Sequence, residues 1–560
     1  MADEITRWNA VLLDVIQDVG GPPCPIARGA AMMHAAMYDA VNSIAPATHK
    51  PYCVSVPAAA TASIEAAIAY AARDTIVSVP AFAGGIAKFE AQFTTVIKGL
   101  APDADVDGGE AVGRACAAAM IAKRVGDLAD DTSPYTPGSQ PGDWRPNPPA
   151  AAANPNWPNV KPFCMPSGQS FRPTRPGGYA SKTAMLKSKE YAAQLNEVKL
   201  LGKDRPVGPA DPTTEIAFFW ANDLDGTYKP PGHLFEITRI VSEQRGLSLV
   251  ENARLFALVA LGMGDAGIVA WDSKYDTNLD LWRPDTAIRL ANTDGNPSTT
   301  RDAGWTPLLK NPATGDHFTP PFPAYVSGHA TFGGVHAAIM RRFFGTDNVT
   351  FTATTDDPNL PAGTTRTFNS FTEAALENAR SRVYLGVHFQ WDGDNGFHSG
   401  DALGEFIFDN VLTAVGDRLG SRTPRCKSAC GCKDARARAV PCSGRRRHAR
   451  LARDSGPDRR APTAADPAAA RTLALEDLQQ LVLVGDTPLR PVQLAERRLE
   501  DRDALGRVRG DMGGQLQRGV LGPRSRHRVV HEPDRRRLLG ADDPPGEDQL
   551  LRPRDADERR

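Results

Sequence analysis

Helical periodicity of apolar residues is the feature that most constrains how this chain can fold. Residues 26–41 are rich in Ala and Met on most faces, which predicts a helix buried between other helices. Its His34 is predicted to be a satisfied core histidine. Other segments show the same helical spacing, at 8–16, 59–76, 87–97, 109–121, 182–195, 214–220, 234–244 and 247–271. Alternation typical of strands is nearly absent, so the sequence predicts an all-α fold, a large helical-bundle domain.

Composition and charge narrow the class of protein. The chain has 560 residues, of which 41% are hydrophobic, enough for a sizeable core in one large helical domain or several domains. A formal net charge of −1 gives no electrostatic reason to expect nucleic acid or an anionic membrane surface as a partner. Eight cysteines in so long a chain do not make a disulfide scaffold. No apolar run suggests a membrane span, and the acidic N-terminus lacks a standard signal peptide, so a soluble, by default cytoplasmic, protein is expected.

Two regions depart from the helical pattern. Residues 130–178 are rich in Pro, Asn and Gly, which predicts a long irregular loop, either a binding rim or a plain wrapping segment. Residues 421–560 are rich in Arg and nearly free of Lys, and we predict a disordered tail after a domain at 1–420. The tail's first cysteines have a spacing that fits no standard zinc site: Cys426, Cys430, Cys432 and Cys442. Its composition also resembles an out-of-frame reading of a GC-rich gene, which sequencing the DNA around codon 420 tests.

Residues 381–392 combine a cation, an imidazole and a carboxylate on an apolar scaffold. A helix predicted over 373–387 places Arg382 and His388 near its C-terminal end. Asp392 follows His388 by four residues, close enough to accept a hydrogen bond from one ring nitrogen. The other nitrogen is then unprotonated and available as a nucleophile or metal ligand. Taken alone, the simpler interpretation is a solvated trio.

Two upstream clusters add further groups that suit an anion. Pro284 fits the first position of a helix, so Arg283 lies at a junction and can turn inward, and Lys274 precedes it. Both cations are candidates for an oxyanion site. Farther along, 327–328 (Ser-Gly) stands just ahead of an apolar helix, where free N–H groups and the helix dipole favour negative charge. His329 beside it is placed for proton transfer, although a simple Ser N-cap with an exposed His is the alternative.

The three clusters together resemble the vanadium-dependent haloperoxidase and type-2 phosphatidic-acid phosphatase superfamily. Its pattern is Lys followed by Arg-Pro, then Pro-Ser-Gly-His, then Ser-Arg-five-His-three-Asp, and the last element matches from 381 to 392. The resemblance extends to the chloroperoxidase-like bacterial branch, because Trp271 precedes the Lys by three and Phe322 precedes the His by seven. It covers about residues 2–420. Two departures are a Lys–Arg spacing that is longer by two and Val326 in place of the usual Pro.

The resemblance implies a set of roles for residues of this chain. It implies an oxyanion, vanadate or phosphate, held by Lys274, Arg283, Ser327, Gly328 and Arg382. His388 is implied as the ligand of vanadium, oriented by Asp392, and His329 as the group that assists peroxide protonation and deprotonation. Trp271 and Phe322 resemble the halide-side wall. Asp223 is expected to pair with one of the site arginines.

The activity that the resemblance implies is vanadate-dependent oxidation of halide by hydrogen peroxide. The product is hypohalous acid, which halogenates a small organic acceptor. One alternative is a phosphatase in which His388 attacks phosphorus and His329 protonates the leaving group. Another is an inactive relative that binds oxyanions. A homodimer is compatible with the resemblance.

Overall fold

The computed structural model describes residues 3–147, 150–205 and 211–416. These ranges contain fourteen α-helices: α1 (Glu4–Val19), α2 (Pro23–Ile44), α3 (Ile64–Ile76), α4 (Ile86–Gly99), α5 (Val106–Arg124), α6 (Lys182–Leu186), α7 (Lys189–Leu201), α8 (Pro212–Phe219), α9 (Lys229–Arg245), α10 (Leu249–Tyr275), α11 (Pro284–Arg289), α12 (Gly328–Phe344), α13 (Phe371–Tyr384) and α14 (Gln390–Asn410). Strands β1 (Phe351–Thr354) and β2 (Thr365–Phe368) form one antiparallel pair. This architecture confirms the predicted all-α class. The predicted tail and its four cysteines lie outside the described residues.

Local sequence explains where several helices begin and end. Ser248 starts α10 with a capping box, in which its hydroxyl accepts from the Glu251 N–H and the Glu251 carboxylate accepts from the Ser248 N–H. The helix predicted over 182–195 is two helices, because the Ser188 hydroxyl accepts from the Tyr191 N–H and starts α7 anew. A side-chain cap at Ser188 therefore divides a segment that apolar spacing alone predicts to be one helix.

The helix predicted over 373–387 also ends early, at Tyr384. Gly386 has φ +81°, a left-handed conformation that stops the helix and turns the chain. The Arg382 carbonyl accepts from the N–H groups of both Val387 and His388, which holds the turn against the end of α13. His388 therefore lies in the loop between α13 and α14, and does not directly follow the end of a helix as predicted.

Helix α10 is the central element of the core. It packs against α2 on one side and α12 on another. Its length and apolar composition would suffice to cross a membrane, but 94% of its most apolar window is buried inside the protein. Gly262 lets α12 approach closely, since an added Cβ would lie 2.7 Å from Ile339 Cδ1. This burial on all faces is the packing of a core helix.

Helices α12 and α14 make backbone contact through glycines. A Cβ added at Gly396 would lie 2.8 Å from the Ser327 carbonyl oxygen, and one at Gly404 would lie 2.7 Å from the Val335 carbonyl oxygen. Such close contact is possible only without a side chain. As a result the first turns of the two helices meet, and the Ser327 N–H donates to the Asp392 carbonyl at 3.0 Å.

His34 is buried in the core as predicted, but it is not satisfied there. Its ring lies between those of Phe235 and Phe256, with centroid distances of 5.5 and 5.3 Å. Neither ring nitrogen has a hydrogen-bond partner among the described residues. Burial lowers the pKa of His34 to about 3, so the ring is neutral at pH 7. Aromatic packing alone holds this residue in place.

Candidate active site

The meeting point of α12 and α14 gathers the groups that the three motifs predicted. Ser327 is the N-cap of α12, and its hydroxyl accepts from the Ala330 N–H at 3.4 Å. The hydroxyl proton is still free to donate. The N–H groups of Gly328 and His329 belong to the first turn, where they have no acceptor within the helix. The helix start therefore offers donors and a positive dipole end to an anion.

His388 and Asp392 form the hydrogen-bonded pair that the sequence predicted. Nδ1 of His388 lies 3.0 Å from Asp392 Oδ2, which also accepts from the Phe389 N–H at 3.1 Å. Arg283 Nη1 lies 3.0 Å from His388 Nε2. A guanidinium can only donate, so Nε2 must accept and the ring proton must be on Nδ1. In this tautomer Nε2 is unprotonated, and its lone pair accepts the hydrogen bond from Arg283.

The charge states of the pair follow from burial and from nearby cations. Burial and the neighbouring Arg283 and Lys274 hold the pKa of His388 well below its usual value, so the ring is neutral. Burial raises the pKa of Asp392 to about 7, against the attraction of Lys274. The hydrogen bonds that Asp392 receives from His388 and Phe389 favour its ionised form.

Two arginines from different elements lie near His388: Arg283 contacts its Nε2, and Arg382 lines the same cavity as His388. Arg283 is held by two carbonyls, of Phe322 and Val387, each at 2.8 Å. Arg382 pairs with Asp223, with Nη2 lying 2.6 Å from Oδ2, as expected from the sequence. Both guanidinium groups keep N–H donors without any partner among the described residues, namely Arg283 Nη2 and Arg382 Nε and Nη1. Unused buried donors of this kind call for an acceptor with several oxygens.

Lys274 was expected among the anion ligands, but its ammonium group is directed elsewhere. Its Nζ donates to the carbonyls of Pro323 at 2.7 Å and Ala324 at 3.1 Å, and also to the carbonyl of Val326. An ammonium group has three protons, so these carbonyls use all of them. The side chain is fully buried and does not line the cavity described next. In this structure Lys274 holds the loop that leads to Ser327.

A cavity of about 260 Å³ opens beside these groups. Arg283 and Ser327 are not among the residues that line it. Its apolar part includes Trp271, Phe322 and Phe332, and its polar lining consists of Asp223, Asp225, Lys229, His329, Arg382 and His388 beside Gly328. The Trp271 and Phe322 rings contact each other, with centroids 4.7 Å apart. The indole N–H of Trp271 donates to the Ala153 carbonyl at 3.0 Å. Because Ala153 also lines the cavity, the irregular loop at 130–178 contributes to its rim.

His329 faces this cavity as a neutral base. Its Nε2 lies 2.8 Å from the Ala221 carbonyl, so Nε2 carries the proton and Nδ1 the lone pair. Burial and then the charge of Arg382 lower the pKa of His329 to about 3. The expectation of an exposed His on a simple Ser N-cap is therefore not met, since only 8% of the residue is exposed.

The sequence did not indicate Lys229 or Phe332 as cavity residues. Lys229 has φ +57° at the start of α9, and its Nζ donates to the Asp223 carbonyl at 3.0 Å and pairs with Asp225 at 2.7 Å. Neither its backbone conformation nor these contacts leave a pattern in the sequence. Phe332 follows His329 by three residues on α12, so helical spacing could have placed it on the same face.

The donor set suits an oxyanion better than a bare metal ion. Within 3–147, 150–205 and 211–416, no group of three or more His, Cys, Asp or Glu side chains is arranged to hold a metal. The site instead presents the imidazole lone pairs of His388 and His329 beside guanidinium and backbone N–H donors. Such a set can bind a tetrahedral oxyanion and also coordinate its central atom through an imidazole.

Comparisons with known proteins point to one family. The family profile described as the VCPO second helical-bundle domain matches residues 254–417, which include the motif residues. A vanadium chloroperoxidase of Curvularia inaequalis is 36% identical over 227 residues, covering 32% of this chain. The chain spans only 36% of the length of that relative.

Solved structures share the fold over most of the described chain. A bacterial vanadium-dependent iodoperoxidase superposes with a TM-score of 0.62 at 24% identity, covering 74% of this chain and 98% of that protein. A bacterial vanadium-dependent chloroperoxidase superposes with a TM-score of 0.55 at 16% identity, covering 70% and 92%. The matched helical-bundle domain, the curated relative and the shared fold agree with the three motifs, and all of them make this chain similar to vanadium haloperoxidases.

Proposed function

We propose that this protein is a vanadate-dependent haloperoxidase, which oxidises halide with hydrogen peroxide to hypohalous acid that halogenates an organic acceptor. One observation carries the proposal, namely the three unpartnered guanidinium nitrogens of Arg283 and Arg382. Both side chains are at most 1% exposed, so water compensates these donors poorly. A bound oxyanion would satisfy them and offset the cost of burying two positive charges. Vanadate and phosphate both fit this requirement.

The residues that would hold vanadate are Arg283, Arg382, the Gly328 N–H and the His388 Nε2 lone pair. Ser327 can add its hydroxyl proton, since that oxygen already accepts from the helix. Arg283 Nη1 keeps the Val387 carbonyl as an acceptor whether or not it donates to His388. Lys274 contributes by positioning the loop and by its positive charge. The chemistry that vanadate supplies when bound is Lewis-acid activation of hydrogen peroxide.

The protein's own groups would handle the proton of hydrogen peroxide. Nδ1 of His329 is unprotonated at pH 7, because burial lowers the pKa of the ring to about 3. The negative charge of a bound oxyanion would raise that pKa and so allow Nδ1 to accept this proton. Asp223 lies close enough to favour the imidazolium that results. The Ala221 carbonyl keeps the ring in the tautomer that makes Nδ1 the acceptor. Asp392 does the same for His388, and so maintains the lone pair on Nε2.

The apolar wall would act on the halide. Trp271, Phe322 and Phe332 offer few hydrogen bonds on the cavity side, so a halide beside them is poorly solvated and more reactive. Arg283 lies over the Phe322 ring, with Cζ 4.8 Å from the centroid. This contact links the wall to the anion-binding groups.

Halide oxidation by the anion-free protein, with and without added orthovanadate, tests the proposal. A phenol dye traps hypohalous acid, and H388A removes the imidazole lone pair. H398A is the matched control, because His398 is an exposed residue on α14, the helix that follows His388. We expect halogenation only with orthovanadate, its loss in H388A and its retention in H398A.

Two results would overturn the proposal. One is phosphomonoester hydrolysis that orthovanadate inhibits, without any halogenation, because it would make His388 a nucleophile toward phosphorus. The other is orthovanadate binding without either reaction, which would identify an inactive relative that binds oxyanions.

A further inference from the structure

We propose that a second cleft beside the active-site cavity binds the organic acceptor, and that this acceptor is a phenol. The cleft has a volume of about 530 Å³, roughly twice that of the active-site cavity. Gly21 and Pro22 line both spaces, so the two are neighbours on either side of the junction between α1 and α2. Phenol binding stands on the cleft itself, whereas the acceptor role rests on the proposed haloperoxidase activity.

The walls of the cleft suit a flat apolar ring. They include Pro22, Pro25, Val79, Pro80 and Trp157. Prolines and indoles offer rigid apolar surfaces, on which an aromatic ring packs without ordering flexible side chains. The volume lies within the range of about 300–1,000 Å³ that is common for small-molecule sites. The cleft therefore has room for a substituted aromatic compound.

One polar side chain in the cleft has donors to spare. Arg28 donates from Nε to Asp127 Oδ2 at 2.8 Å, and neither of its Nη atoms has a hydrogen-bond partner in the described part of the chain. Its side chain is 13% exposed, so the free end of the guanidinium faces the cleft from a largely buried position. A guanidinium only donates, so its ligand must supply an oxygen acceptor. A phenol hydroxyl meets this requirement.

The charges around Arg28 favour a neutral ligand over an anionic one. The cleft contains two cations, Arg28 and Arg124, and two carboxylates, Asp127 and Asp130. Arg124 is already used, because it donates to Asp127 and to the carbonyls of Lys161 and Pro162. Because these charges balance, a carboxylate or a phosphate ester would gain little electrostatic binding energy in the cleft, and a neutral phenol would lose none.

A phenol at this site fits the chemistry of hypohalous acid. The ring carbon forms a bond to the halogen while the halogen–oxygen bond breaks, so the ring is oxidised and the halogen reduced. The carbon then releases its proton, and the hydroxide that leaves takes up a proton to give water. The ring must be electron-rich, as a phenol is. A hydroxyl held by Arg28 would fix which ring carbon faces the shared wall.

Binding is measured first, without peroxide, halide or vanadate. Phenol is the probe, and its binding to the full chain is measured by saturation-transfer NMR and by calorimetric titration. R28Q should weaken phenol binding about tenfold, the value expected for a hydrogen bond from a charged donor. Asp127 keeps Arg124 in this variant, so the fold has a reason to survive. R7Q is the matched control, because the Arg7 side chain is exposed on α1, away from the cleft lining.

A81F provides a second, independent variant, since Ala81 lines the cleft and a phenyl group there would fill it. We expect A81F to abolish phenol binding and R7Q to leave it unchanged. The phenol site would be overturned if the wild-type protein did not bind phenol, or if R28Q and A81F both bound phenol as tightly as the wild-type protein does.

Turnover then tests the acceptor role. The ortho-to-para ratio of brominated phenol made by the protein should differ from that made by hypobromous acid in buffer, and R28Q should shift it to the buffer ratio. If halide is oxidised but the wild-type ratio equals the buffer ratio, the acceptor role is wrong while the haloperoxidase activity stands. If phenol binds but no halide is oxidised, the proposed function is wrong while the phenol site stands.

Discussion

Replacement of Lys274 by Met is expected to destabilise the protein more than it weakens anion binding. The Lys274 ammonium donates to the carbonyls of Pro323, Ala324 and Val326, and K274M would leave all three without this donor. A buried acceptor left unsatisfied costs about 1–3 kcal/mol. The variant no longer buries an ammonium group, which offsets part of that loss. We therefore expect the free energy of unfolding to fall by about 3 kcal/mol.

The comparison variant is R382K, which keeps a cation beside Asp223 but removes the planar fork. Arg382 directs two unpartnered nitrogens toward the proposed anion, so R382K should weaken anion binding by about tenfold or more. K274M should have a smaller effect, since no proton of Lys274 is free for the anion. Urea denaturation in phosphate-free buffer gives the stability, and calorimetric titration with phosphate and with orthovanadate gives the affinity.

One pattern of results would refute this reasoning. If K274M unfolded at the same urea concentration as the wild type but bound neither anion, Lys274 would have to reach the anion directly. Hydrogen exchange at the amides of 327–330 gives a further check. If Lys274 positions the loop, exchange there should be faster in K274M than in R382K.

Two further predictions concern the core. H34L should stabilise the protein relative to the wild type by an amount that grows as pH falls. Burial lowers the pKa of His34 to about 3 in the folded protein. The wild type therefore loses stability as pH falls below 6.5, by about 2 kcal/mol at pH 5. Parallel pH–stability curves for the two proteins, measured by urea denaturation between pH 7 and 5, would disprove this. G400A should cost about 1–3 kcal/mol, since an added Cβ would overlap the Thr331 carbonyl oxygen, whereas G99A, with open space around it, should be close to neutral. Equal melting temperatures for the two glycine variants would contradict the close contact of α12 and α14.

The sequence predicted which chemical groups form the site better than it predicted where they lie in the fold. The pairing of His388 with Asp392, and of Arg382 with Asp223, could be predicted because the motif spacing and the resemblance specify those groups. The early end of α13 at Tyr384 could not be predicted, because Gly386 turns the chain in a left-handed conformation that apolar spacing does not register. Contacts between distant residues that no motif specifies, such as that of Lys274 with the Pro323 carbonyl, could not be predicted either.

Lys274 illustrates the same limit in energetic terms. The sequence identifies Lys274 as a candidate ligand of an oxyanion, but it does not say which acceptors the ammonium group contacts. Loop carbonyls and an oxyanion both provide oxygen acceptors for the protons of an ammonium group, so the residue type alone does not distinguish them. The loop that ends at Val326 provides three carbonyls within reach, and this depends on the tertiary path of residues some fifty positions away. Only the structure could decide between the two outcomes.

The spacing of glycines on α14 is a sequence pattern that indicates close helix packing. Gly396, Gly400 and Gly404 recur every four residues on α14, and helical geometry places them on one face. A helix face without side chains predicts a close partner, which the structure identifies as α12. Because His388 precedes one of these helices and Ser327 caps the other, the glycines bring the two halves of the anion site together. The chemistry of the motif residues therefore depends on residues that carry no functional group at all.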